Sequence, residues 1–251
     1  MKRTLATLGL LALLAGCSSS ASGEQDGGTL SGSITVDAAS SLTEAFDTLK
    51  ARFEHAHAGT TVDIIYGASS DLSTQIAQGA PVDVFASASE TNMADLGSQA
   101  VRPTDFVTNK LEIAVPPGNP AGIKSISDLA DGDVKVAVCD PAVPCGAVAE
   151  QVFRNAGIAV SPAASLADVK TTLAAVESGE VDAGVVYVTD VRAAGSKVEG
   201  IEIPSDLNAS TTYPIAVLKD AKNPALARAF VDYVLSGAGR KVLTADGFGR
   251  P

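Results

Sequence analysis

The sequence predicts an α/β fold of two lobes, and three observations carry that expectation. Hydrophobic periodicity switches repeatedly between two and 3.6 residues along the chain, the signature of alternating strands and helices. About 220 residues remain once the N-terminal segments are set aside, enough for one large or two small domains. The pattern changes near residue 110 and changes back near 215. The chain therefore reads as crossing between lobes twice, with residues 31–110 plus 217–251 in one lobe and 111–216 in the other.

The N-terminus is not part of either lobe. Lys2 and Arg3 precede an apolar run, Leu5 to Ala15, that is too short to span a bilayer. "LAGC", Leu14 to Cys17, follows, and it resembles the processing site of a bacterial lipoprotein. Residues 1–16 then read as a signal peptide and Cys17 as the lipidated first residue of the mature chain, fixed to a membrane surface. Residues 17–30 read as its flexible tether; 18–29 offer no large apolar side chain to a core and give a reach of roughly 20 Å.

The elements follow in order. "GSITVDAA" is a strand, and Leu42, Ala45, Phe46, Leu49 and Phe53 mark one face of the next helix, with Gly59 just past its end. "TTVDIIYGA" is a strand, "SSDLSTQIAQG" a helix closed by Gly79, "VDVFASA" a strand, and a short helix surrounds Met93. "NKLEIAVPPGNP" is a strand entering a proline-glycine loop, "DVKVAVCDP" another strand, and "CGAVAEQVFRNAG" a helix ending at Gly157. In "SLADVKTTLAAVESGEV" Ser165 is placed to cap a helix, with Asp168 three residues on and Leu166, Val169, Leu173 and Val176 along one side. "VDAGVVYV" and "TTYPIAVLKDA" are strands, and two helices close the chain, the first with Asn223 as cap and Pro224 at its first position.

Charge and cysteines narrow the function. The chain holds 18 Lys+Arg and 29 Asp+Glu; removing Lys2 and Arg3 leaves 16 against 29, a net −13 for the mature protein. That excludes nucleic acid and an electrostatic membrane contact as partners, and any bound anion must be held by local dipoles against the overall field. Cys139 and Cys145 are a close pair outside the cytoplasm, where a disulfide is the default. A zinc site lacks partners, because the two histidines, His55 and His57, lie on a distant polar helix end.

One pattern occurs twice: an apolar strand, small residues, Ser-Ser, then a helix. It is "VDAASSLTEAF" at Ser40–Ser41 and "IIYGASSDLSTQ" at Ser69–Ser70. Each junction presents helix N–H groups that have no intrahelical partner, the positive end of a helix dipole, and hydroxyls. One serine can cap while its neighbour faces a ligand. Alone, either junction reads as an ordinary N-cap; two matched junctions at the carboxyl edge of a sheet point to an uncharged anion cradle.

These residues carry a resemblance. "AASSLTEAF", "GASSDLSTQIAQGAPVDVFASA", "CDPAVPCG", "ADVKTTLAAVESGEVDAGVVYVTD" and "FVDYVLSGAGRKVLTADGF" are similar, in this order and across nearly all of residues 32–250, to the substrate-binding proteins of bacterial molybdate ABC transporters. The resemblance implies the type II periplasmic binding-protein fold, each lobe a mixed sheet flanked by helices with the ligand cleft between them. It implies an oxyanion, molybdate or tungstate, held by the hydroxyl and N–H of Ser41 and Ser69, the N–H of Cys145 and of Val169, and the phenol of Tyr187. Tyr187 also reads as a core aromatic, and the Val169 side chain as core while its N–H faces the ligand. No residue ligates the metal directly, no cofactor is implied, and the partners are the oxyanion, a membrane permease and the lipid at Cys17. The expected protein is a monomer and not an enzyme.

Three residues depart from the family pattern: Asp37, Asp71 and Cys145. Asp37 and Asp71 read as solvated acids beside the two junctions, although a carboxylate turned inward would oppose a dianion. The role at Cys145 is a backbone one, so a disulfide there would stiffen the donor loop. Sulfate or phosphate in the same fold is the nearest alternative ligand. Ferric iron would want clustered tyrosines, and the four present are scattered. A serine hydrolase would need a G-x-S-x-G turn and a histidine base, and "GAGRK", Gly237–Lys241, lacks the spacing of a phosphate-binding loop. A structural surface lipoprotein would show no ligand-dependent stabilisation.

Overall fold

The computed structural model describes residues 30–251; the signal peptide, Cys17 and all of the tether except Leu30 lie outside the described residues. The first part of the chain runs β1 (Gly32–Ala39), a 3-10 turn (Ser40–Leu42), α1 (Thr43–Ala56), β2 (Thr60–Gly67), α2 (Ser69–Ala77), β3 (Val84–Ala86) and α3 (Glu90–Ala94). It continues with β4 (Ala100–Val115), β5 (Val136–Cys139), α4 (Pro144–Ala156), β6 (Ala164–Leu166), α5 (Val169–Glu177), β7 (Ala183–Tyr187) and α6 (Val188–Ala194). β8 (Glu199–Glu202), β9 (Ser210–Leu218), α7 (Pro224–Leu235) and α8 (Gly237–Ala245) complete it.

The strands form one mixed sheet in the order β2-β1-β3-β9-β4-β7-β5-β6, with β8 also on β4. β1 pairs in parallel with β2 and β3, and β5 with β6 and β7. Between these parallel sets runs the antiparallel pair β4–β9. β4 belongs to both sides: Ala100–Lys110 pairs with β9, and Leu111–Ala114 with β7. Burial explains the readings of period: β5 and β7 are buried at every position, as parallel strands with helices on both faces must be. The outermost strand β2 alternates instead and leaves Ile65 exposed.

Two large cores flank that central pair. One gathers Val36 and Ala38 of β1, Phe46, Leu49 and Phe53 of α1 and Phe230 of α7, with Phe53 and Phe230 edge to face at 5.3 Å. The other gathers Leu111, Ile113, Val136, Val152, Val176 and Val185. A smaller cluster under α2 joins Leu72, Ile76, Phe85 and Met93. Each fully buried side chain of this size contributes about 1.5–3 kcal/mol. Tyr213 and Ile215, which the expected boundary at 216/217 assigns to the second lobe, lie in the core built on α1 and α7.

Several local readings need correction. Ser165 does not cap a helix; it lies in β6, and Asp168 caps α5 by accepting the Thr171 N–H at 2.8 Å. Ser165 and Asp168 both have side chains that suit a cap, and pairing of Ser165 with Val138 decides for strand at the former. β4 begins well before Asn109, because Ala100–Asp105 pairs with β9 through two register shifts rather than through a clean alternation. The sequence carries no clear signal for α6 and β8, which are short; α6 is half-exposed and β8 mostly exposed.

Candidate functional site

In open sheets the carboxyl ends of parallel strands lead into helix N-termini. Both halves of this sheet do so, and their ends converge. A small cavity lies there, lined by Ala39, Ser40, Ser41, Gly67, Ala68, Ser69, Ala88, Val143, Pro144, Cys145, Asp168, Val169 and Tyr187. All five residues expected at a ligand, Ser41, Ser69, Cys145, Val169 and Tyr187, are among them.

Three of the four helix starts that line the cavity lack a side-chain cap. α3, α7 and α8 start elsewhere and are capped by the side chains of Ser89, Asn223 and Ser236. The 3-10 turn at Ser40, α2 and α4 start at the cavity, and no side chain caps them. α5 is capped by Asp168, but on the Thr171 N–H, which leaves the first N–H groups of that helix, Val169's among them, without an intrahelical partner. Ser41, Ser69, Cys145 and Val169 thus all stand in first turns whose donors the helices do not use.

The expectation that one serine of each pair caps its helix is therefore wrong. The Ser41 hydroxyl is 2.8 Å from the Tyr213 hydroxyl. The Ser69 oxygen accepts the Ala88 N–H at 2.9 Å, which leaves its own proton free to donate. Ser69 is 1% exposed and Val169 2%, so these donors sit in a low-dielectric setting where they act strongly. Cys145 is placed by two devices: the Cys139–Cys145 disulfide and Gly146, where any Cβ would collide with the Asp140 carbonyl.

Tyr187 ends β7 and is buried, and its hydroxyl makes no hydrogen bond of good geometry among the described residues, although the Tyr213 hydroxyl is near enough to interact with it. Its ring meets Tyr213 edge to face, with centroids 6.3 Å apart. Burial, with the neighbouring Tyr213 and Asp190, pushes its ionisation well above the usual phenol range, so it remains a donor. A buried hydroxyl left unpaired beside a cavity is an expensive arrangement that a ligand would satisfy.

The charged groups are kept back. Among the described residues that line the cavity there is no lysine, arginine or histidine. The one acid, Asp168, commits Oδ1 to the Thr171 N–H and hydroxyl. Asp71 is exposed in the first turn of α2, as expected. Asp37 is not solvated: it lies within β1, is 2% exposed, and does not line the cavity. Its Oδ1 is unpartnered, and burial pushes its carboxyl up to about 6.

Tyr213 and Ala88, which hold the two serine hydroxyls, escaped sequence reasoning. So did a charged group behind the cavity. Lys170 Nζ is 2.8 Å from Glu44 and 3.2 Å from Asp190. Burial alone would lower the Lys170 ionisation, but Asp190 and Glu44 outweigh it and hold it above the usual lysine value. Burial raises the Asp190 carboxyl to about 6, against the opposing pull of Lys170.

Residues 34–249 match the family model for bacterial extracellular solute-binding proteins, and residues 1–18 that for the prokaryotic membrane lipoprotein lipid attachment site. The chain is 39% identical over 247 residues to the molybdate-binding protein ModA of Mycobacterium bovis, covering 96% of this chain and 95% of that protein. Among solved structures it resembles the substrate-binding domain of a putative molybdenum ABC transporter from Clostridium difficile, at 30% identity and a TM-score of 0.66, over 87% of this chain and 99% of that one. The periplasmic molybdate-binding protein of Azotobacter vinelandii shares the fold at a TM-score of 0.77 and 22% identity, over 87% of this chain and 99% of that one.

Proposed function

The chain belongs to the bacterial extracellular solute-binding protein family, and from that premise we propose that it captures molybdate outside the cytoplasm for an ABC transporter. The lipid attachment site, residues 1–18, holds it at the membrane through Cys17. One observation carries the ligand assignment: uncapped helix starts and an unpartnered phenol surround a small cavity whose lining has no cationic side chain.

Molybdate is fully deprotonated near neutral pH, so a site for it needs donors alone. Ser41 and Ser69 supply hydroxyl and N–H, Cys145 and Val169 an N–H each, and Tyr187 its phenol. Each hydrogen bond to a charged oxygen is worth roughly 1.5–3 kcal/mol. Such a set can offset the cost of stripping water and ordering the protein around the ion. Phosphate keeps a proton and gains from an acidic acceptor, and Asp168 is the one acid that lines the cavity, its Oδ1 already engaged by Thr171, so phosphate is the competitor the titration must include. Sulfate has shorter bonds to oxygen, so donors spaced for molybdate fall short of it. Tungstate, close to molybdate in size and charge, binds comparably.

The two lobes, one built on α1 and α7 and the other on α4 and α5, close around the ion, and the closed monomer presents both of them to the permease. The protein does no chemistry on the ion. Calorimetric titration with molybdate, tungstate, sulfate and phosphate tests this reading. Tight binding of the first two is expected, and equal affinity for sulfate overturns the selectivity.

A further inference from the structure

Lys170 is the residue after Val169, Glu44 lies three residues after Ser41, and Asp190 three after Tyr187. Three residues that carry ligand donors are thus each followed closely by a member of one charged group. Lys170 Nζ stands 2.8 Å from both Oε1 and Oε2 of Glu44 and 3.2 Å from Oδ1 of Asp190. Asp190 Oδ2 in turn accepts the backbone N–H of Tyr187 at 3.1 Å. We propose that Lys170 is a latch, a positioning residue that fastens α1 to α5 and α6 behind the oxyanion and sets how long the ion is held.

The contact joins the two large cores. α1 contributes Phe46, Leu49 and Phe53 to one, whereas α5 contributes Val169, Leu173 and Val176 to the other. It also differs from the ion pairs Lys110–Glu202 and Arg154–Glu150, in which both partners are exposed and which contribute little. The Lys170 side chain is 25% exposed and that of Asp190 0%, so solvent and salt screen that pair less, whereas Glu44, its partner on α1, is 48% exposed. Lys170 has a second effect: without its charge, the carboxylates of Glu44 and Asp190 would face each other across the gap and add to the repulsion of an incoming dianion. One lysine therefore holds the parts together and offsets two acids close behind the site.

This inference rests on the oxyanion reading, and the experiment separates the two. Molybdate affinity by calorimetry, and compaction on adding molybdate by small-angle scattering, are measured for wild type, Lys170→Met, Lys170→Arg, Glu44→Gln and the Lys170→Met/Glu44→Gln double variant. Lys170→Met is expected to raise Kd about tenfold or more and to blunt the compaction. Lys170→Arg, which keeps the charge, stays near wild type. Because Glu44 is half-exposed, Glu44→Gln tests the contact even if Lys170→Met folds poorly, and its Kd rises too. The double variant is expected to fall short of the sum of the single changes. A Kd for Lys170→Met close to wild type, no change for Glu44→Gln, or additive effects would overturn the latch while leaving the oxyanion site intact. A wild-type protein that binds no molybdate would overturn both.

Discussion

Replacing Tyr187 by Phe removes one oxygen and leaves the ring that packs against Tyr213. The site makes opposite demands on that oxygen in the two states. Without ligand, the hydroxyl is buried and unpartnered, so its removal relieves a cost of about 1 kcal/mol or changes nothing where water reaches it. With ligand, the phenol donates to a charged oxygen, a bond worth roughly 1.5–3 kcal/mol, and its loss weakens binding about ten- to hundredfold. The expected pattern is therefore a split. In differential scanning fluorimetry the unliganded variant melts at the wild-type temperature or about 2–4 °C above it, while calorimetry shows the raised Kd and the ligand-induced rise in Tm shrinks. An unchanged Kd would refute the assignment of the phenol to the ligand. A melting temperature several degrees lower would show that the hydroxyl has a structural partner in solution.

Ser69→Ala should fail in both respects, since the Ser69 oxygen also holds the Ala88 N–H; urea unfolding should lose about 1–3 kcal/mol and molybdate affinity should drop as well. Replacing Cys139 and Cys145 by Ser opens the loop that places the Cys145 N–H, with an expected loss of about 2 kcal/mol in urea unfolding and weaker binding, and a variant with unaltered Kd would show that the loop needs no cross-link. Asp37 is the pH-dependent case. Its folded carboxyl is raised to about 6 from an unfolded value near about 3.9, so the fold loses stability as pH rises through that window, by about 3 kcal/mol once the group is ionised. Asp37→Asn should therefore raise the urea midpoint at pH values above the window and not below it, with Kd unchanged because Asp37 does not line the cavity; an equal gain on both sides of the window would contradict the cause given.

What could be read in the sequence is what local periodicity and local chemistry encode. The alternation of strands and helices follows from which side chains must face a core at spacings of two and 3.6, and the strand-to-helix positions of Ser41 and Ser69 follow from the residues on either side of them. The close spacing of Cys139 and Cys145 likewise made their pairing legible. Contacts between distant parts of the chain have no such local signature. Tyr213 behind Ser41, Ala88 behind Ser69, and Glu44 joined to Lys170 across 126 residues depend on the sheet order that brings β9, α5 and α6 beside α1. Asp37 shows the same division: an acid before two alanines and two serines reads as solvated, and only the packing of β1 between β2 and β3, under α2, shuts it away from water. Sequence alone determined which groups stand at helix starts; tertiary structure decided which of those donors are left unused and turned toward one another, because a hydrogen bond spanning the fold depends on where the chain returns and not on what flanks each residue.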